Sequence, residues 1–140
     1  KLDSYTQYGA YDRLINKRPP SLKCSQENDK FKVSSTSAKL DYPIGLIQAD
    51  EVALAGGVYN TTNMNYYLYN SRYFWTLSPS YFNSNDSYAS TWFVSSSGLL
   101  YPWNFVALSY GVRPVINIKQ NVIISKGDGT ALNPFVIAVD

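Results

Sequence analysis

The sequence contains no histidine and a single cysteine, Cys24. Histidine-based acid–base catalysis, His/Cys metal sites and an internal disulfide are thereby excluded. Cys24 reads as a small buried residue; the alternatives are a nucleophile or a pairing with a cysteine elsewhere. Charge is also scarce, with Asp, Glu, Lys and Arg at 16% of residues against about 25% in ordinary soluble domains. No run approaches the ~18 apolar residues of a membrane span, so membrane insertion is not expected. The net charge is +2 and nothing resembles a basic stripe, so no nucleic-acid partner is expected. No Ser-His-Asp, Cys-His, zinc or P-loop pattern can be assembled. The chain is therefore read as non-enzymatic, with no catalytic residue, no metal and no cofactor assigned.

A length of 140 residues suits one domain spanning 1–140. The chain starts at Lys1 without Met or a signal peptide, which reads as a domain excised from a longer protein with neighbouring domains. The scarce charge is unevenly placed. Residues 1–51 hold eight Lys/Arg and seven Asp/Glu, whereas residues 52–112 hold only Arg72 and Asp86. Residues 58–110 carry 16 of the 22 aromatics, nine of them Tyr. One part looks like an ordinary charged surface; the other is uncharged, aromatic and rich in Ser and Asn.

Local patterns predict an α+β chain with two short helices early and many short strands later. Tyr5, Tyr8, Tyr11 or Asp12, and Ile15 fall at helical spacing within Ser4–Asn16, stopped by Pro19-Pro20. "DKFKVSS" at 29–35 alternates like a strand. "YPIGLIQADEVALAGG" reads as an extended piece entering a helix, with Asp50 and Glu51 in the first turn and Gly56-Gly57 at its end. Residues 73–80 read as a strand closed by Ser-Pro, "YFNSNDSYAS" as a loop, and Thr91–Gly98 as a strand ending in a turn. "GVRPVINI" reads as a strand whose Pro114 suits an edge or bulge, with Val and Ile feeding the core. "NVIIS" and "NPFVIAV" flank "KGDGTAL" as a β-hairpin.

Candidate chemistry is thin. Asp50-Glu51 read as dipole-favoured carboxylates at a helix start, and Asp128 in "GDGT" as a turn residue rather than a calcium ligand. Asn60-Thr61-Thr62 and Asn85-Asp86-Ser87 fit a glycosylation sequon. The concentration of Tyr, Trp, Ser and Asn is the strongest signal. Rigid rings bring contact area at low entropic cost, and Ser and Asn bring adaptable hydrogen bonds, a composition suited to recognition. Phe74, Trp75 and Trp92, on strand-like runs, are assigned to the core. In "LLYPWNFVALSY", too broken for a regular strand, Leu100 and Val106 are the expected inward anchors between outward rings.

The stretches "YPIGLIQADEVALAGG", "YYLYNSRYFWTLSPSYF", "STWFVSSSGLL", "YGVRPVINI" and "SKGDGTALNPFVI" together resemble a domain of long bacterial surface proteins. That domain is related to C-type-lectin-like and formylglycine-generating-enzyme-like folds, a group that includes the variable proteins of diversity-generating retroelements. The resemblance covers residues 20–140. It implies a small antiparallel or mixed sheet core, two early helices and a long loop-rich insertion that displays a ligand surface. It places the variable segment at Tyr81–Tyr110, ending at "GVRP", and the chain on a cell surface, pilus or phage particle. The ligand-binding residues it implies are Tyr81, Tyr88, Phe93, Leu99, Tyr101, Trp103, Phe105, Ala107, Leu108 and Tyr110, with a protein or glycan as partner. Such relatives carry runs of Asn after a G-x-L turn, as adenine-rich codons encode; Trp103 departs from this, because adenine changes in an Asn codon do not give Trp, so it is either a fixed residue or counts against diversification. A single Cys also departs from the enzymes of the group, whose catalysis needs a pair. A structural assembly module of a surface or pilus protein is the competing expectation.

Overall fold

The computed structural model describes residues 5–23, 42, 44–116, 118, 120–130 and 132–138. In chain order these form β1 (Tyr5–Gln7), α1 (Gly9–Ile15), β2 (Ile44–Leu46), α2 (Ala49–Leu54), β3 (Phe74–Asn83), β4 (Tyr88–Val94), β5 (Leu100–Phe105), β6 (Pro114–Ile116), β7 (Ile124–Lys126) and β8 (Val136–Ile137). A four-stranded antiparallel sheet has the order β1-β3-β4-β5; β2-β6 and β7-β8 are separate antiparallel pairs. The chain is thus α+β, with two short helices and small antiparallel sheets. The strand expected at 29–35 and Cys24 lie outside the described residues.

Helix α2 forms where the sequence places it. Gln48 caps it reciprocally with Glu51, whose carboxylate accepts the Gln48 N–H at 2.8 Å. Asp50 does more than complement the helix dipole. It is 3% exposed and takes a two-pronged bond from Arg13 of α1, at 2.8 and 2.6 Å, so it joins the two helices. The helix expected over Ser4–Asn16 begins only at Gly9. Tyr5, Thr6 and Gln7 pair instead with Asn83, Phe82 and Tyr81 of β3, and this tertiary pairing overrides a weak helical period.

Three expectations in the sheet are corrected. The "loop" at 81–90 is a β-hairpin whose turn is confined to Ser84–Ser87. The Asn83 side chain accepts the Asn85 N–H at 3.0 Å, so the Asn/Ser/Asp chemistry builds only the turn while the flanking aromatics pair across it. Strand β3 does not stop at Pro79; it runs through it, with register shifts on either side that accommodate the missing N–H. Segment 100–105 is a strand after all. It lies at the sheet edge, and Pro102 fits at the register shift between Thr91 and Phe93 of β4. Side chains repair the broken ladder: Thr91 Oγ1 donates to Ser78 O at 2.6 Å, Thr76 Oγ1 to Trp92 O at 2.9 Å, and buried Ser80 Oγ to Pro102 O.

The register row Phe74–Val94–Leu100 is 2%, 1% and 0% exposed and faces the helices. Around it and Trp92, which is fully buried, gather Leu14, Ile47, Ala49, Val52 and Tyr66. Phe74, Trp92 and Leu100 are therefore core as expected. Trp75 is only half-buried, because alternation puts it on the other side of the sheet from Phe74. Val106 is 59% exposed and anchors nothing inward, since it lies beyond the end of β5. In "GVRPVINI" only Val115 packs on the core; Val112, Ile116 and Ile118 are exposed, because β6 pairs only with β2. The anchor there is Arg113. Its Nη1 donates to Leu68 O at 2.6 Å and its guanidinium lies 4.5 Å from the centre of the Phe74 ring.

The turn from β4 to β5 sets where the aromatic strand begins. Gly98 has φ +76°, and a Cβ there would sit 1.7 Å from the carbonyl oxygen of Asn63, so only glycine fits. The expected C-terminal hairpin is present. Asp128 accepts the Thr130 N–H at 2.9 Å, and that backbone bond first of all holds its carboxyl below the usual range.

Candidate aromatic recognition surface

Alternation along β5 opens the site. Leu100 and Pro102 are buried, whereas Tyr101 is half-buried and Trp103 and Phe105 are 38% and 49% exposed. Cross-strand pairing then joins rings from distant segments into one layer. Phe105 meets Tyr88 edge-on at 4.2 Å, Tyr88 meets Tyr81 at 5.4 Å, and Tyr81 meets Tyr11 of α1 at 6.5 Å. Tyr11 meets Trp103 at 6.0 Å, and its phenol oxygen accepts the indole N–H of Trp103 at 3.1 Å. Trp103 in turn stands edge-on to Tyr101 at 5.1 Å and to Tyr59 at 6.0 Å. On the opposite face of the sheet the register row Trp75–Phe93–Tyr101 forms a second group, with Tyr110 4.6 Å from Trp75 and 5.5 Å from Phe93.

The structure therefore gathers Tyr81, Tyr88, Trp103 and Phe105 around Tyr11 on the helix side of the sheet and Phe93 and Tyr110 on the opposite side, with Tyr101 at the β5 edge in contact with both groups. Phe93 does not offer surface, a correction to its expected role. It is 6% exposed and enclosed by Tyr73, Trp75, Tyr101 and Tyr110. Leu99 is half-buried in the turn, where its N–H donates to Ser95 Oγ at 3.1 Å. Ala107 and Leu108 are exposed in the turn that follows β5.

Sequence reasoning missed Tyr11, Tyr59 and Tyr73. Tyr59 sits in the polar, Tyr-rich stretch after α2, and its neighbours pair with the sheet edge: Asn60 N–H donates to Leu100 O at 3.1 Å and Leu100 N–H to Val58 O at 3.3 Å. That bridge stacks Tyr59 on Tyr101, 6.3 Å apart and 14° from parallel. The count of Tyr in residues 58–73 was a signal for Tyr59 and Tyr73; nothing local signals Tyr11.

Burial raises the phenol pKa of Tyr11, Tyr59 and Tyr88, and neighbouring tyrosines add to the rise. At Tyr11 the Trp103 bond opposes it. Unfolding frees these phenols to ionise near pH 10, while the folded chain keeps them neutral. Their contribution to stability is therefore complete below pH 10 and is lost as pH rises through the folded values. A titration followed by phenolate absorbance should show a subset of tyrosines ionising late, and melting points level from pH 7 to 9 that fall above about 10. A fall beginning near pH 8 would contradict this.

The layer offers contact area, phenol and indole hydrogen bonds, and almost no charge, since Asp86 is the only charged residue between Tyr73 and Gly111. Among the described residues no three His, Cys, Asp or Glu come together, and no helix is long and apolar enough to cross a membrane. Comparison with protein-family models, with curated proteins and with solved structures returns no match.

Proposed function

We propose that the chain is a non-enzymatic ligand-binding domain of C-type-lectin-like fold, displayed outside the cell or on a pilus or phage particle. Its uncharged aromatic surface binds a protein or glycan, and it is of the kind that diversity-generating retroelements vary. The observation that carries this is the position of Trp103 and Phe105: exposed rings on a paired strand, braced by half-buried Tyr88, Tyr101 and Tyr11. Rings held in place before contact lose little entropy on binding. Covering two or three of them supplies several kcal/mol gross at about 25 cal/mol per Å², before association costs. The Tyr11 bond favours the alternative that Trp103 is a fixed residue. A downstream near-copy of the DNA encoding residues 80–114, differing mainly at adenines, would support diversification.

The competing reading, an assembly module, has its own observation. The β7–β8 hairpin exposes Ile123, Ile124, Phe135, Val136 and Ile137 at 38–67%, and a two-stranded hairpin alone is marginal in water. The double variant Trp103→Ala/Phe105→Ala separates recognition from assembly through the aromatic rings. Recognition predicts an unchanged molar mass by light scattering and a loss of about 1–2 kcal/mol in urea unfolding, the scale of exposed ring contacts. A drop in molar mass, or collapse of the fold, would favour assembly through the aromatic layer and overturn recognition.

A further inference from the structure

Each of the three tryptophans lies beside a tyrosine. Centroid to centroid, Trp75 is 4.6 Å from Tyr110, Trp103 is 5.1 Å from Tyr101 and Trp92 is 6.2 Å from Tyr59. Trp92 is 0% exposed, and its Nε1 is buried without a hydrogen-bond partner among the described residues. A buried indole N–H is ordinarily paired, so this one asks for a reason. From Tyr59 the rings lead outward. Tyr101 lies 6.3 Å away and nearly parallel, Trp103 lies 6.0 Å away, and Trp103 reaches solvent. Tyr59 itself is half-buried, and its hydroxyl makes no hydrogen bond among the described residues. That oxygen therefore holds no part of the fold together.

From this geometry we infer that Tyr59 is a redox exit for the core: it returns an electron to an oxidised Trp92 and passes the oxidising equivalent to the outer rings. An oxygen-radical oxidant, or ultraviolet light, removes one electron from the Trp92 indole and leaves a radical cation. With no acceptor beside Nε1, that cation keeps its proton and remains the stronger oxidant of the pair. Tyr59 supplies one electron, which restores neutral Trp92. Its phenol releases a proton to solvent, and a neutral tyrosyl radical remains. Tyr101 repeats the exchange by giving Tyr59 an electron and a proton. A donor of thiol or ascorbate type then reduces the outer radical with one hydrogen atom. Phe93 and Phe105 take no part, because a benzene ring is far harder to oxidise than a phenol or an indole. The activity is independent of the recognition reading and uses an oxygen that neither packing nor pairing employs.

Flash photoionisation tests this. In Trp75→Phe/Trp103→Phe, Trp92 is the only indole, and dissolved oxygen scavenges the ejected electron. The indole radical should decay as tyrosyl absorbance grows, at one rate that does not change with protein concentration. Tyr59→Phe in the same background keeps a ring against Trp92 and removes only the hydroxyl. The matched growth should then be lost and the indole radical should persist, while the urea midpoint stays as it was. Tyr66→Phe removes a core phenol that is buried with no acceptor for its proton among the described residues, and should leave the rate unchanged. After repeated flashes with ascorbate present, peptide mass mapping should find Trp92 intact in the background chain and converted to ring-opened products in Tyr59→Phe. Indole decay without tyrosyl growth would overturn the inference, as would transfer that persists in Tyr59→Phe. A rate that rises with protein concentration, or equal conversion of Trp92 in both chains, would overturn it too.

Discussion

Asp50→Ala is expected to lower folding stability by about 3–5 kcal/mol, the cost of breaking a buried ion pair by removing one member. Asp50 Oδ1 accepts Arg13 Nε and the Ser21 N–H, both at 2.8 Å, and Oδ2 accepts Arg13 Nη2 at 2.6 Å. Alanine would leave a guanidinium whose side chain is 22% exposed, together with an unpaired amide, between α1, α2 and the chain leaving α1. Against a total of about 5–15 kcal/mol, this is a large share. The exposed pair Arg18–Asp12, at 62% and 56%, is the internal control: Asp12→Ala should cost less than about 1 kcal/mol. Urea unfolding of both variants measures the difference. The Arg13→Ala/Asp50→Ala double variant should lose less than the two single losses added, because both single variants break the same pair. Equal, small losses for Asp50→Ala and Asp12→Ala would mean that the pair is not buried in solution.

Trp92→Ala is the second large effect, expected at about 3–5 kcal/mol for a fully buried ring. Trp92 is 0% exposed at the centre of the core, and its outer edge meets Tyr59 at 6.2 Å. Tyr59 is also the ring on which Tyr101 stacks and against which Trp103 stands. The cavity would therefore loosen the recognition layer from beneath as well as the core. Urea unfolding should show a lower midpoint with an unchanged slope, and near-ultraviolet circular dichroism should weaken even where the chain remains folded. A loss under about 1 kcal/mol would contradict the placement of Trp92.

Much of the fold was legible because its signals are local. Asp50 and Glu51 in a first turn, followed by Val52, Leu54 and Ala55 and ended by Gly56-Gly57, mark helix α2 from neighbouring residues alone. Gly127 and Gly129 between apolar runs mark the β7–β8 hairpin in the same way. Strands β3 and β5 were misjudged because Pro79 and Pro102 interrupt the alternation; bulges and buried Ser and Thr side chains absorb them, and that repair depends on the neighbouring strand. The candidate site was legible in composition and not in assembly. A Tyr-rich stretch points to a surface, but which ring is covered depends on register. Phe93 is buried because Trp75 and Tyr101 flank it across the sheet while Tyr110 returns over it. The Tyr11–Trp103 and Arg13–Asp50 contacts join segments far apart in the chain, and no local period encodes them.

The central claim, that the outer rings serve contact rather than folding, is tested most directly by binding. The immobilised chain and its Trp103→Ala/Phe105→Ala variant would be screened side by side against one array of glycans and one of cell-surface proteins. The account predicts at least one target bound by the parent chain and weakened tenfold or more in the variant, which remains folded. Targets bound equally by both, or none bound by a folded parent chain on either array, would contradict it.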